Sequence, residues 1–505
     1  MAFERWYPKA HQGRVSGRDA AVRNPRHRFL KEAGINLILL QILFLGLFCY
    51  IFGALFQQSI HTHNFQLVYV DYDGGIIGSS LWAAYQKMKG DTFPSIMQAT
   101  TVDYPSPQDL RKAVCSTRFW SAIYTSPGAS LRLELALAGG AAATNYNRSD
   151  VITYIWNEAR YSPIQDTAIS GSLKTLASAA RLEYTATNGT GAMKVLSSTN
   201  PSAISVFANP WELVDTDIQT TIQGSRLIYN TLVVILILIQ EFFYLGTING
   251  LYIQCKIYQR LYPHRIIIYR NMISLAYTCC GSLCTTGAIW AFRAGWNVNG
   301  NQFALTWLVL WLFAHSNFLW LDVFTVWLPP KYVPMSLITW VVFNVTSILV
   351  PFELSPGFYR WAYAMPAHEV YQALTDIWSR GCNPQLHYAL PILFSLELLG
   401  LFLGALGVYH RCHYATLAEE QQEKALSERV NIGMAFEEKH KKRGDVSEDQ
   451  RTGVENMGDL ETIMSEREEL GEEIQKEDSK IQENQRQTNR MINFGPSFNL
   501  AYESV

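Results

Sequence analysis

The sequence holds no nucleotide-binding signature. Its nearest string, Gly189-Thr190-Gly191-Ala192-Met193-Lys194, has the wrong spacing for a phosphate-cradling loop. A chain without such a loop does not hydrolyse ATP by itself, and nothing else in it reads as an enzyme motif. A zinc site is excluded on similar grounds. The 8 cysteines stand at 49, 115, 255, 279, 280, 284, 382 and 412, with no paired CxxC and no His/Cys cluster. His368-Glu369 begins like a zinc-protease motif, but Gln372 occupies the place of the second histidine. No metal and no cofactor is expected. The net charge of −2 favours no class of charged partner, and no nucleic-acid role is expected.

What the sequence has in quantity is apolar length. Residues 227–409 hold five such runs: Leu227–Leu245, Ile266–Trp290, Ala304–Leu328, Val333–Val350 and Tyr388–Tyr409. A helix rising about 1.5 Å per residue needs roughly 20 apolar residues to cross about 30 Å of hydrocarbon. A sixth run, Ile35–Phe56, follows a basic segment with Arg14, Arg18, Arg23, Arg26 and Arg28. It is too long for a signal-peptide core and reads as an anchoring first span with its basic side in the cytosol. The fold class is therefore an α-helical polytopic membrane protein with six transmembrane helices. Lys256, Arg260, Arg265, Lys331 and Arg411 then fall on inner connections, and both termini are cytosolic. The membrane is the plasma membrane or an endomembrane.

Residues 57–226 contain no span and read as an extracytoplasmic α/β domain. Strands are expected over Phe65–Asp71, Phe119–Tyr124 and Val151–Trp156. Helices are expected over Ile77–Met88, from Pro107 through Val114, and from Pro163 onward. Asp71-Tyr72-Asp73-Gly74-Gly75 reads as a turn. Two sequons, at Asn147 and Asn188, agree with an outer or lumenal location, whereas Asn344-Val345-Thr346 lies inside a span. Cys115 and Cys382 fall on the same oxidising side and form either a disulfide or two free thiols. Cys280 and Cys284, one helical turn apart in an apolar run, read as small buried thiols.

Ionisable residues within the apolar runs include Glu241, His315, Asp322 and Glu397. Such residues are costly in hydrocarbon and point either to a proton relay or substrate path, or to hydrogen bonds that pin the bundle. Asp322 and Arg293 lie near span ends, where snorkelling accounts for them. Aromatic residues crowd the same ends, and Trp290, Trp296, Trp320, Trp327, Tyr332, Trp361 and Tyr363 read as an interfacial belt. Pro351–His387 is too apolar for a free loop. It reads as short amphipathic helices broken at Pro356 and Pro366, lying at the membrane interface or dipping into it. Trp361, Tyr363 and His368 are its candidates for an outer vestibule that takes flat hydrophobic toxins. Residues 413–505 read as a charged, largely disordered cytosolic tail. Ala418–Ala435 extends the last span as helix, and Leu460, Met464, Leu470 and Ile474 form a faint apolar stripe.

The layout is one span, an outer α/β domain, and five spans with a proline-broken loop before the last. Together with Leu67–Gly75, Asp109–Ser130 and Pro351–Leu374, it resembles the permease half of ABC-2 type exporters and the phage-infection-protein type. More narrowly, Tyr154–Tyr161 (YIWNEARY) and Ala208–Leu213 (ANPWEL) resemble patterns of the fungal nitrosoguanidine-resistance membrane proteins (DUF3533-like). The resemblance covers roughly residues 30–412 and leaves out the tail. It implies a transporter-like membrane protein that confers resistance to toxic small molecules, by export or by altering lipid distribution. Its partners would be membrane lipids, a second copy of the chain, and a separate ATPase or pump. The alternative is a non-transporting scaffold that regulates lipid asymmetry or another pump.

Overall fold

A computed structural model describes residues 19–221, 233–293, 295–329 and 332–448, with Gln475 and Ser479. The chain divides into two units, Met1–Phe56 and Gln57–Val505. In the first, helix α1 spans Ala20–Ala54, starting well before the apolar run at Ile35. Its apolar side chains, among them Leu37, Ile38, Ile42 and Leu45, are exposed, as on a helix whose solvent is lipid.

In the second unit a five-stranded sheet forms first. Its strands are β1 (Gln66–Asp71), β2 (Ser95–Ala99), β3 (Ser121–Thr125), β4 (Ile152–Trp156) and β5 (Leu213–Asp217). The order is β2-β1-β3-β4-β5, parallel except between β3 and β4. In β1, Leu67 and Tyr69 pack in one buried cluster and Val68 and Val70 in another, so both sheet faces are covered. The covering helices are α2 (Ile76–Met88), α3 (Pro107–Cys115), α4 (Ala129–Leu137), α5 (Gly140–Thr144), α6 (Ser162–Ile164), α7 (Gly171–Val195) and α8 (Pro201–Ala208). The three expected strands and the helices at 76 and 107 are present. The two edge strands, β2 and β5, were not expected. Their Ser, Gln, Asp and Thr suit a sheet edge and hide the strand pattern.

The turn after β1 is organised by carboxylates. Asp71 Oδ1 accepts from the Asp73 and Gly74 amides, both at 3.0 Å, and from the Thr125 hydroxyl. Asp73 accepts from the Ser130 amide and hydroxyl. A Cβ at Gly78 would collide with the Asp71 carboxyl. Gly78→Ala is accordingly expected to destabilise the domain by about 1–3 kcal/mol, read from its denaturation midpoint.

The remaining elements are mostly long apolar helices. They are α9 (Val233–Gln254), the short α10 (Ile257–Arg260), α11 (Pro263–Ala291), α12 (Gly300–Trp327), α13 (Val333–Leu349), α14 (Pro366–Trp378) and α15 (Leu386–Glu448). Together with α1, the helices α9, α11, α12 and α15 are long and apolar enough to cross a membrane. α13 is a shorter apolar helix. The expected start of the second span at Leu227 lies outside the described residues, and α9 runs past the expected end at Leu245 to Gln254. α12 packs against α9, α11, α13, α14 and α15. Gly400 and Gly407 of α15 face Leu319 and Val326 of α12 so closely that a Cβ would clash, the small-residue packing that apolar helices use.

The connection between α13 and α15 differs from expectation. It does form two helices broken at Pro356 and Pro366, a 3-10 helix over Gly357–Ala364 and then α14. Yet every residue of α14 except Gln372 is buried, so its second face packs on protein rather than on lipid. The aromatic belt divides in the same way. Trp290 and Trp296 are buried, Trp296 packs on Trp378 at 5.4 Å, and Trp320 stacks on Trp340 at 5.7 Å. Trp327, Tyr332, Trp361 and Tyr363 remain exposed. Cys280 and Cys284 are also exposed, contrary to the reading as buried thiols, because they occupy the outward side of α11. Beyond the expected helical extension of the last span, the stripe from Leu460 to Ile474 lies outside the described residues.

Candidate functional site

Three groups of polar residues stand out against the apolar helices. The first is an ion cluster. Asp322 of α12 takes a two-pronged contact from Arg270 of α11, Nη2 to Oδ1 at 2.8 Å and Nε to Oδ2 at 3.2 Å. Arg411 of α15 reaches the same Oδ1 at 3.0 Å and the Thr325 hydroxyl at 2.7 Å. Arg270 also donates to Asn249 of α9 at 2.9 Å, and Arg411 to Tyr258 of α10 at 3.3 Å. All three charged residues are at most 4 % exposed. A buried charge is tolerated when geometry and additional hydrogen bonds compensate its desolvation, and the planar guanidinium provides that geometry. Snorkelling therefore does not describe Asp322, and Arg411 is not a free inner-loop charge. Both are drawn inward because each supplies the other's counter-charge. Arg270 escaped the sequence reading, although an arginine inside an apolar run is itself the signal.

The second group contains the candidate relay residues. His315 of α12 is 2 % exposed. Its Nδ1 contacts the Glu397 carboxyl of α15, and its Nε2 lies 3.0 Å from the Ser274 hydroxyl of α11. Glu241 of α9 is fully buried, and neither of its carboxyl oxygens has a hydrogen-bond partner among the described residues. Between Glu241's helix and His315 lies an aromatic chain. Tyr244 stacks on Tyr277 at 3.7 Å and meets Phe318 at 5.2 Å, and Phe318 stacks on His315 at 6.3 Å. The fold thus pairs His315 with Glu397, keeps Glu241 out of hydrogen bonding with either, and assigns Asp322 to the ion cluster.

The third group lines a cavity of about 420 Å³ between the α/β domain and the α13–α15 connection. Tyr363 and His368, two of the three candidate vestibule residues, line it. Trp361 does not, because its ring packs on Phe343 at 5.4 Å. The sequence reading missed Trp120, Arg160, Tyr161, Glu353, Glu369 and Tyr371, which also line it. They come from two stretches, 120–161 and 353–371, which the Tyr161 amide bridges by donating to the Tyr371 hydroxyl, 210 residues away in the chain, at 2.8 Å. The Arg160 guanidinium lies 4.0 Å from the Trp120 ring centre. Burial lowers His368 to about 4 and raises the Glu369 carboxyl to about 7. A disulfide between Cys115 and Cys382 closes this side of the molecule. Beside it, Asn157 donates to the Cys382 carbonyl at 3.0 Å and Gln385 to the Thr117 hydroxyl at 3.2 Å.

The sequon asparagines stand apart from all three groups. Asn147 is exposed in a turn, and Asn188 is half-buried on α7. Among the described residues no three His, Cys, Asp or Glu side chains gather as a metal site.

Comparison with known proteins adds a family and a relative. The chain is 30 % identical over 118 residues to the uncharacterized endoplasmic reticulum membrane protein YJR015W of Saccharomyces cerevisiae. That match covers 22 % of each chain, so this protein spans about a fifth of its relative's length. No solved structure matches. The family described as "Protein of unknown function (DUF3533)" matches residues 36–402, most of the chain. With its long apolar helices, this protein is an integral membrane protein that belongs to the DUF3533 family.

Proposed function

We propose that this protein is a six-span transporter that lowers the burden of toxic amphipathic molecules by exporting them or redistributing them with lipid. It has no ATPase of its own and draws on a proton gradient. In this reading α1, α9, α11, α12, α13 and α15 are the spans, the α/β domain is extracytoplasmic, and both termini are cytosolic. The excess of Lys and Arg on inner connections supports that orientation, as do the two sequons and the Cys115–Cys382 disulfide, since disulfides persist in oxidising compartments. The resemblance to ABC-2 permeases and nitrosoguanidine-resistance proteins supports the activity, and suggests a working pair of copies. The yeast relative's description as an endoplasmic reticulum membrane protein supports an endomembrane setting.

The observation that carries the transport reading is Glu241. A wholly buried carboxyl without a hydrogen-bond partner among the described residues has little structural use in an apolar helix and much use as a place to take up a proton. The paired His315 and Glu397 supply a second such place. Proteoliposomes holding the protein alone, loaded with a fluorescent hydrophobic cation, are expected to export it under a pH gradient. Glu241→Gln and Glu397→Gln are each expected to reduce the rate at least ten-fold with normal membrane insertion. Unchanged transport in both variants would remove these residues from the mechanism.

One observation favours a second reading. α15 continues as a helix through Glu448, far beyond any membrane, and offers a charged arm for a partner. A scaffold of this kind would lose resistance on deletion of residues 415–505 while showing no transport in liposomes.

A further inference from the structure

Of the three polar groups described above, the one behind α14 lines a cavity. Glu369 is 4 % exposed and lines the cavity, yet its carboxyl makes no hydrogen bond or ion pair among the described residues. Arg160 lines the same cavity: its guanidinium lies over Trp120, burial lowers its pKa while the charge of Glu353 raises it, and its Nη1 has no hydrogen-bond partner among the described residues. No charged group offsets the burial of the Glu369 carboxyl. Around it stand aromatic faces. Phe352 lies 4.4 Å from Tyr363, and the His368 ring sits 4.9 Å from Phe352 and 5.0 Å from Tyr363. A buried carboxylate beside π-faces is the environment that holds an organic cation with an apolar body.

We propose that this cavity binds a monovalent organic ammonium with an apolar body, that Glu369 is its counter-ion, and that proton and cation compete for that carboxyl. The proposal rests on the transport reading for its physiological use and names the substrate class and the exchange site. The titratable groups facing Glu369 are few. His368, on the same helix, stays neutral because burial holds it at about 4. Tyr363 and Tyr371 are pushed up and stay neutral. Glu353 and Arg160 also line the cavity, the charge of Glu353 acting on Arg160, and Tyr161 is pushed up by burial and stays neutral. Tyr388 of α15 completes the lining. Burial alone moves Glu369 to about 7, so its charged fraction rises about ten-fold between pH 6 and pH 8.

The test uses the full chain in dodecyl maltoside and radiolabelled benzyltrimethylammonium, whose own charge does not titrate. Its affinity is expected to rise about ten-fold from pH 6 to pH 8, as that change in charged fraction requires. Glu369→Gln should bind weakly with no pH step, and Tyr363→Ala should weaken binding several-fold with the step retained. Neopentylbenzene, the uncharged isostere, should not compete. Added phosphatidylcholine that displaces the probe through Glu369 would identify the ammonium as a lipid headgroup, and failure to displace it would identify a free cation. Binding that ignores pH in the wild type, an unchanged step in Glu369→Gln, or equal competition by the isostere would overturn the proposal. Should Glu369→Gln fail to fold, the wild-type pH step and the isostere still decide it. Binding without export sinks the transport reading alone, whereas export indifferent to Glu369→Gln sinks this one alone.

Discussion

Asp322→Ala is expected to leave little folded protein. The substitution removes the one carboxylate that Arg270 and Arg411 share and strands two guanidinium groups that are at most 4 % exposed. Breaking a buried pair by removing one partner costs about 3–5 kcal/mol, and here two cations lose the carboxylate they share at once. That is a large share of a typical total stability of about 5–15 kcal/mol. The contacts of the arginines to Asn249, Tyr258 and Thr325 are to neutral groups and do not replace the charge. The readout is the fraction of monodisperse protein after heating in detergent, followed by size-exclusion chromatography. An apolar replacement of the whole cluster, Arg270→Met with Asp322→Leu and Arg411→Met, is expected to recover most of the loss, because no charge is then left unpaired. Wild-type stability in Asp322→Ala would show that the cluster does not hold α11, α12 and α15 together.

Removing the Cys115–Cys382 bridge is expected to cost about 2–4 kcal/mol, the usual worth of a disulfide that closes a long loop. The bridge spans 267 residues of sequence and joins α3 of the α/β domain to the segment after α14. Without it, the cavity wall depends on the Asn157 contact with the Cys382 carbonyl, the Gln385 contact with Thr117, and the packing of Tyr161 on Tyr371 at 4.8 Å. Cys115→Ser, Cys382→Ser and the double variant should show the same lowered melting temperature. Reductant should lower the wild type to that value and leave the variants unmoved. Reductant with no effect on the wild type would mean that the two thiols are free in the native protein.

The sequence by itself determined the apolar helices and the central part of the sheet. Runs of about 20 apolar residues follow from hydrocarbon thickness, a constraint that acts along the chain and so can be read along it. β1, β3 and β4 were legible because both of their faces are buried, which demands continuous apolar sequence. The edge strands β2 and β5 were not legible, since an edge accepts Ser, Asp and Thr. Glu241, His315 and Glu397 were visible as polar residues in apolar surroundings, but whether any two of them meet was not.

Tertiary structure decided everything that depends on pairing. Asp322 and Arg411 look like span-end charges in one dimension and become a buried ion cluster once α12 and α15 pack side by side. Arg270 joins them from a third helix. Trp361 and Tyr363 are two residues apart and chemically alike, yet only Tyr363 turns toward the cavity. α14 has an amphipathic sequence and is nonetheless buried on both faces, because α12, α13 and α15 cover the side that water or lipid would otherwise meet. Glu369 was noticed only as half of a failed zinc motif. Its place in the cavity depends on Arg160, Tyr161 and Trp120, which reach it from another domain. Contacts between residues hundreds of positions apart leave no periodic trace in the sequence, so their chemistry appears only when the chain is folded.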